Sequence, residues 1–150
     1  MKAERFVLPP GMDRTRLEDD SAPVLDEVAA FHLLQVARIG EGDRLRIGDG
    51  SGAYRPASVL KAQRRELTLS WCGPVETVAK PCPELLLLMA VIDHGDMRRS
   101  VEGAVEAGID KIVLFRARRS NRPVPAADAS IWANLQKIVR GSSEQSRRYW

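Results

Sequence analysis

The sequence predicts an α+β unit followed by an α/β unit within 150 residues. Two changes of pattern along the chain indicate this division. Between residues 44 and 71, apolar and polar residues alternate and Gly-rich turns separate the runs, which is typical of short β-strands. Between residues 85 and 115, an apolar run, a helical pattern and a second apolar run follow one another, which predicts two parallel strands joined by a helix.

The first unit, over residues 1–74, is predicted to be a small β-barrel with one helix. Its opening strand, Arg5–Leu8, ends at two prolines and a glycine. Residues 15–26 form an acidic loop in this prediction, and Asp26 is placed as the N-cap of a helix from Glu27 to about Arg38. Three strands are then predicted, over residues 44–47, 54–60 and 67–71.

A proline-containing linker over residues 75–83 is predicted to join the first unit to a second one, over residues 84–150. The second unit begins with the continuous apolar run Leu85–Ile92, which predicts a central strand buried on both faces. A helix from about Met97 to Ala107 and a strand over Lys111–Phe115 follow. A last helix is predicted from about Asp128, with Ile131, Leu135, Ile138 and Val139 on its buried side.

Composition favours a cytoplasmic globular protein without a metal. The longest apolar run has eight residues, whereas a membrane-spanning helix needs about 20. The N-terminal residues lack the apolar segment of a secretory signal. Cys72 and Cys82 have no neighbours in a metal-binding pattern, so we expect two free thiols that are buried or half-buried.

Basic residues are concentrated in the last third of the chain. Residues 91–150 carry 11 basic and 7 acidic side chains, against 12 and 13 in residues 1–90. Four arginines crowd the loop after the second predicted parallel strand: Arg116, Arg118, Arg119 and Arg122. Guanidinium groups bind phosphate through paired hydrogen bonds, and ligands of α/β proteins bind at the carboxyl ends of strands. The loop therefore predicts a phosphate or RNA contact, with a solvated basic loop as the alternative.

Short motifs in a recognisable order run along nearly the whole chain. They are Arg5-Phe6-Val7, His32-Leu33 with Val36 and Arg38, Gly40, Gly42-Asp43, Asp49-Gly50, Tyr54, Ala57, Gly95-Asp96-Met97, Glu106-Ala107-Gly108-Ile109, Arg119-Ser120, and Glu144-Gln145-Ser146 with Arg148. This order resembles the N-terminal part of the RsmE family. Members of that family are bacterial enzymes that methylate N3 of a uridine in 16S ribosomal RNA with S-adenosylmethionine.

The resemblance implies a PUA-like β-barrel over residues 1–74 and the first half of a SPOUT domain, an α/β fold with a trefoil knot, over residues 84–150. It also implies 16S rRNA or the small ribosomal subunit as partner, and the family forms homodimers. The RNA contacts that we expect on this basis are Arg5, Arg38, Arg118, Arg119 and Arg148. The residues expected to flank the substrate pocket are His94, Gly95 and Asp96.

The chain departs from the family pattern in three places. His94 and Gly103 stand where the family has lysines. The family's Gly-Pro-Glu-Gly-Gly loop and Leu-Arg-x-Glu-Thr-Ala segment, which form the knot and bind the cofactor, do not occur in these 150 residues. We therefore expect a SPOUT domain that lacks its knot, no cofactor-binding residues and no methyl transfer by this chain alone. The alternatives are a non-enzymatic RNA-binding module and a degenerate remnant.

Overall fold

The computed structural model describes residues 4–63, 66–120 and 129–150. These residues form two units, of which the first runs to Lys80 and also includes Tyr149 and Trp150. The second unit runs from Pro81 to Arg148. A search of the described helices finds none that is both long and apolar enough to cross a membrane.

The first unit is a mixed α+β structure built on a five-stranded sheet. Its strand order is β1-β2-β3-β4, with β5 paired to β3. Strand β1 runs parallel to β2, and the other pairs are antiparallel. The elements are β1 (Arg5–Val7), α1 (Arg14–Glu18), α2 (Glu27–Phe31) with a π-helical turn after it (His32–Val36), β2 (Arg44–Gly48), β3 (Ala53–Gln63), β4 (Glu66–Trp71) and β5 (Glu76–Thr77).

Strict alternation in β2 builds the core of the first unit. Leu45 and Ile47 are fully buried, whereas Arg44 and Arg46 point away from the core. The predicted helix start is confirmed, because the Asp26 carboxylate accepts a hydrogen bond from the Ala29 backbone N–H at 2.6 Å.

Two elements of the first unit were not predicted. Helix α1 occupies the start of the segment predicted as an acidic loop, and that prediction is wrong there. Asp13 caps α1 by accepting from the Arg16 backbone N–H, and Leu17 is anchored in the core. Strand β5 lies within residues 75–83, the segment predicted as a linker.

The second unit has a parallel two-stranded sheet with two helices against it. Its elements are β6 (Leu86–Ala90), α3 (His94–Glu106), β7 (Lys111–Phe115) and α4 (Ala129–Ser146). The core consists of Val91, Met97, Val101 and Leu135. Ile131 and Ile138 pack against this core as predicted, but Val139 is 39% exposed and its predicted burial is wrong.

The predicted burial of Leu85–Ile92 on both faces is also wrong. Leu86 and Leu88 are 55% and 62% exposed. Successive side chains of a strand point to opposite faces, and α3 and α4 pack only against the face that carries Met89 and its β7 partner Leu114. In the part of the chain that the structure describes, no element covers the opposite face, so a continuous apolar run remains half exposed.

Candidate functional site

The second unit brings two of the predicted groups of site residues to one edge of its sheet. Because β6 and β7 are parallel, their carboxyl ends meet, and the Val91 N–H donates to the Phe115 carbonyl at 2.9 Å there. The residues after β6 are His94, Gly95 and Asp96, which begin α3. Arg118 and Arg119 follow β7. We call this the carboxyl edge of the second unit.

A tight turn presents the arginines of the carboxyl edge. The Ala117 backbone N–H donates to the Ser120 hydroxyl at 3.1 Å, and the Ser120 N–H donates to the Ala117 carbonyl at 3.0 Å. Arg118 and Arg119 lie between these residues, and both are exposed. Neither forms an ion pair or a side-chain hydrogen bond with any described residue, so both guanidinium groups can donate hydrogen bonds to a bound anion. Arg122 lies outside the described residues.

The start of α3 supplies the other half of the carboxyl edge. Asp93 caps the helix by accepting from the Gly95 N–H at 3.3 Å, and His94 is exposed. The carboxylate of Asp96 pairs with Arg99 at 3.2 Å, which offsets part of its negative charge. The edge as a whole carries exposed arginines beside a helix N-terminus, and this arrangement favours phosphate. A search of the described residues for clusters of metal-binding side chains finds none. Cys72 and Cys82 are free thiols, but both are exposed, so their predicted burial is wrong.

Arg5 and Arg38 come together in the first unit. The Arg5 guanidinium donates to the carbonyl of Ala37 at 3.0 Å, next to Arg38 in the chain. Arg38 has a positive φ of 51°, a left-handed conformation that turns the chain out of the π-helical turn. Both arginines are exposed, so the end of the π-helical turn presents two neighbouring cations. Two cations this close together are what simultaneous contacts with an RNA backbone would require.

Arg148 lies at the opposite end of the second unit from Arg118. Its guanidinium donates to the carbonyl of Val105 at 3.1 Å and to the carboxylate of Asp110 at 3.3 Å. The two side chains of this ion pair are 13% and 4% exposed. These contacts hold the end of α4 against the turn between α3 and β7, which is a structural role. An RNA contact by Arg148 stays a prediction.

Sequence reasoning missed a polar cluster around Arg46. Its guanidinium donates to Glu4 at 2.7 Å and to the Tyr149 hydroxyl at 2.9 Å, and the Tyr54 hydroxyl donates to Glu76 nearby. The hydrogen bond to Tyr149 is the main reason that the pKa of Arg46 is raised. Burial, followed by the hydrogen bond to Glu76, raises the pKa of Tyr54 to about 12. Alternation in β2 predicts that Arg46 points outward, but no local signal identifies a partner 103 positions away.

Comparison with protein families identifies both halves of the chain. Residues 79–150 match the model of an RNA methyltransferase domain. Residues 25–70 match the model of an RNA methyltransferase PUA domain. Together the matches cover most of the chain and confirm its resemblance to the RsmE family. The chain is therefore built from domains of an RNA methyltransferase family.

Solved structures share this fold. Ribosomal RNA small subunit methyltransferase E from Neisseria gonorrhoeae, bound to S-adenosylmethionine, is 20% identical with a TM-score of 0.74; the alignment covers 98% of this chain and 58% of that protein. A probable rRNA-methyltransferase from Porphyromonas gingivalis is 27% identical with a TM-score of 0.71, over 97% of this chain and 56% of that one. A candidate methyltransferase from Legionella pneumophila, in complex with bound SAM, is 17% identical with a TM-score of 0.76, over 99% and 60%. The chain thus spans somewhat less than two thirds of the length of each.

Proposed function

We propose that this chain is part of an S-adenosylmethionine-dependent RNA methyltransferase that acts on N3 of a uridine in 16S rRNA. The proposal rests on one observation above the others. In the unit that matches an RNA methyltransferase domain, Arg118 and Arg119 follow the carboxyl end of a parallel strand, where α/β proteins bind ligands, and neither pairs with a described residue. The small ribosomal subunit is the proposed partner, a homodimer the proposed assembly, and the cytoplasm the proposed location.

Each unit has a separate part in this proposal. Residues 1–74 bind RNA, with Arg5 and Arg38 on the backbone. In the second domain, residues 84–150, Arg118 and Arg119 hold phosphates so that the target uridine lies beside His94, Gly95 and Asp96. Phosphate contacts of this kind fix register and orientation without selecting a sequence, so recognition of the uridine needs further contacts.

The proposed cofactor would supply an electrophilic methyl group, and methylation at N3 also requires loss of the N3 proton. The described residues at the carboxyl edge do not by themselves fit the cofactor. His94, Gly95 and Asp96 are exposed to solvent, whereas methyl transfer needs a donor held in line with its acceptor. We therefore assign these three residues to the border of the substrate site and assign no residue of this chain to the cofactor.

A salt titration tests the RNA-binding part of the proposal. Affinity for a 16S rRNA fragment is measured by fluorescence anisotropy at 50 to 200 mM salt for the wild type, Arg118→Ala and Arg119→Ala. Each lost phosphate contact is expected to weaken binding and to reduce the slope of log K against log salt by about 0.7 to 0.9.

Arg98→Ala is the matched control, because Arg98 is an exposed arginine of the same unit that is engaged with Glu102 on α3. The control should keep the wild-type salt slope and should change the binding free energy by less than about 0.5 kcal/mol. If Arg118→Ala and Arg119→Ala behave like Arg98→Ala, the carboxyl edge is not the RNA contact.

A second candidate function is a non-enzymatic RNA-binding module. It is favoured by the lack of fit between the described residues of the carboxyl edge and the cofactor. Equilibrium dialysis with radiolabelled S-adenosylmethionine tests this second candidate. Saturable binding of the cofactor to the chain would exclude a non-enzymatic module, because such a module has no cofactor site.

A further inference from the structure

A cavity of about 450 Å³ lies in the first unit, and neither Arg5 nor Arg38 lines it. Residues from four places in the sequence line it: the segment after β1, helix α1, the segment between α1 and α2, and the end of β4. Its wall combines apolar groups with both signs of charge. Lining residues include Pro10, Met12, Arg16, Asp19, Leu25 and Trp71.

The aromatic part of this wall is held rigidly. The Trp71 indole N–H donates to the carbonyls of Asp19 and Ser21, at 3.0 and 2.8 Å. The guanidinium of Arg55 lies 5.0 Å from the centre of the Trp71 ring. Arg55 is itself fixed by an ion pair with Asp20 at 2.7 Å and by hydrogen bonds to backbone carbonyls. The Trp71 side chain is therefore already fixed, and binding of a ligand would not require the entropic cost of ordering it.

Charged groups surround the apolar part of the cavity. The Asp19 carboxylate accepts a hydrogen bond from the Ser21 backbone N–H at 2.9 Å, which holds the pKa of Asp19 below its usual range. Asp19 therefore remains an ionised acceptor at neutral pH. Asp26 adds a second carboxylate, and Arg16 adds a guanidinium that forms no ion pair with the described residues.

We propose that this cavity binds one unpaired nucleobase of the RNA, with Trp71 as its aromatic wall. The carboxylate of Asp19 would accept hydrogen bonds from the edge of the base, and Arg16 would contact the adjoining phosphate. Proteins recognise single-stranded RNA through this combination of an aromatic surface, base-edge hydrogen bonds and phosphate contacts. Guanine is the best match, because its N1–H and N2–H₂ groups are adjacent donors that suit a carboxylate. The inference deepens the proposed function, since it rests on RNA as the ligand.

The indole N–H of Trp71 provides a direct test by ¹H–¹⁵N NMR. The chain has three tryptophans, so three indole signals are expected, and Trp71→Phe assigns the signal at the cavity. The probes are guanosine 5′-monophosphate, uridine 5′-monophosphate and a ten-nucleotide single-stranded RNA of mixed sequence. The Trp71 signal should shift with the guanosine nucleotide and with the RNA, and should shift less with the uridine nucleotide. The signals of Trp132 and Trp150 should stay in place with the mononucleotides.

Ala22→Phe blocks the cavity without removing any side-chain contact, because Ala22 is an exposed lining residue. Ala79→Phe is the matched control, since Ala79 is an exposed alanine of the same unit that does not line the cavity. Ala22→Phe should weaken binding of the ten-nucleotide RNA about tenfold, the effect of losing one stacked base, and Ala79→Phe should not.

Three results would overturn the inference. If the Trp71 signal does not move in a protein that still binds RNA through Arg118 and Arg119, the cavity is not a nucleobase site. The proposed function would then remain intact. Equal RNA affinity of Ala22→Phe and Ala79→Phe would lead to the same conclusion. Failure of the wild type to bind any RNA would remove both proposals.

Discussion

The two units use apolar strands in different ways. The first unit buries alternate residues of β2 in a core formed by its sheet and helices, so that Leu45 is 0% exposed. In the second unit, α3 and α4 pack on one face of a two-stranded sheet, and Leu88 on the other face is 62% exposed. Strand β6 is more apolar than β2 but less buried. The burial of a strand therefore depends on how many layers pack against it and not only on how apolar its residues are.

The arginines show the same contrast between engaged and available groups. Arg55 in the first unit is held by a carboxylate and three backbone carbonyls, and Arg148 in the second by a carboxylate and one backbone carbonyl. Arg118 and Arg119 have no such partner among the described residues. A cation whose donors are occupied stabilises the fold, whereas a cation with free donors can bind a ligand.

The sharpest test of the contrast between strands is Leu45→Ala against Leu88→Ala. Leu45→Ala should destabilise the first unit by about 2–5 kcal/mol, because it leaves a cavity in a fully buried core. Leu88→Ala should change the second unit by less than about 0.5 kcal/mol. Urea unfolding followed by the NMR signals of Trp71 and Trp132 reports the two units separately. A loss at Leu88 as large as that at Leu45 would mean that the exposed face is covered in solution.

Arg148→Ala tests the contrast between arginines within the second unit. Among the described residues, removal of the guanidinium leaves the Asp110 side chain, 4% exposed, with the Leu85 backbone N–H as its hydrogen-bond donor. We expect a loss of about 3 kcal/mol in the free energy of unfolding, because a buried carboxylate loses its counter-ion. Arg119→Ala is the control and should cost less than about 0.5 kcal/mol. If Arg148→Ala instead keeps the stability and weakens RNA binding, its predicted RNA contact gains support.

Local patterns predicted the regular elements well. Alternation located β2 and β4, and a cap residue located the start of α2 at Asp26. Strand β5 and helix α1 were missed because each is too short to show a periodic pattern. Burial of Leu85–Ile92 was mispredicted because an apolar run indicates a strand but does not reveal how many layers pack against it.

The site was predictable where it depends on topology and not where it depends on distant partners. Residues that follow parallel strands must share an edge, so Asp96 and Arg118 could be placed together from the sequence. Arg148 carries the same charge as Arg118, but its partners Val105 and Asp110 are 43 and 38 positions away. Charge alone therefore could not separate a structural arginine from an available one.

A pH titration extends the comparison to a polar contact of the first unit. The pKa of Tyr54 is raised to about 12, so the folded state keeps a proton that the unfolded state releases near pH 10. Stability should therefore fall as the pH rises from 10 to 12, by about 1–3 kcal/mol for the first unit. Tyr54→Phe should reduce this loss of stability. The pH dependence of unfolding of the second unit, followed by its Trp132 signal, should be the same in the wild type and in Tyr54→Phe. An identical pH profile of the first unit in Tyr54→Phe would exclude Tyr54 as the titrating group.

The smallest expected effect concerns the aspartate caps that begin helices in both units. The Asp26 carboxylate bonds to the Ala29 N–H at 2.6 Å and caps a helix of only five residues before the π-helical turn. Asp26→Ala should destabilise the first unit by about 1 kcal/mol, because a backbone N–H loses its acceptor. Glu27→Ala is the matched control, since Glu27 is an exposed carboxylate one position later that makes no cap bond. Equal unfolding free energies for the two variants would mean that charge near the helix start, and not the cap bond, stabilises this helix.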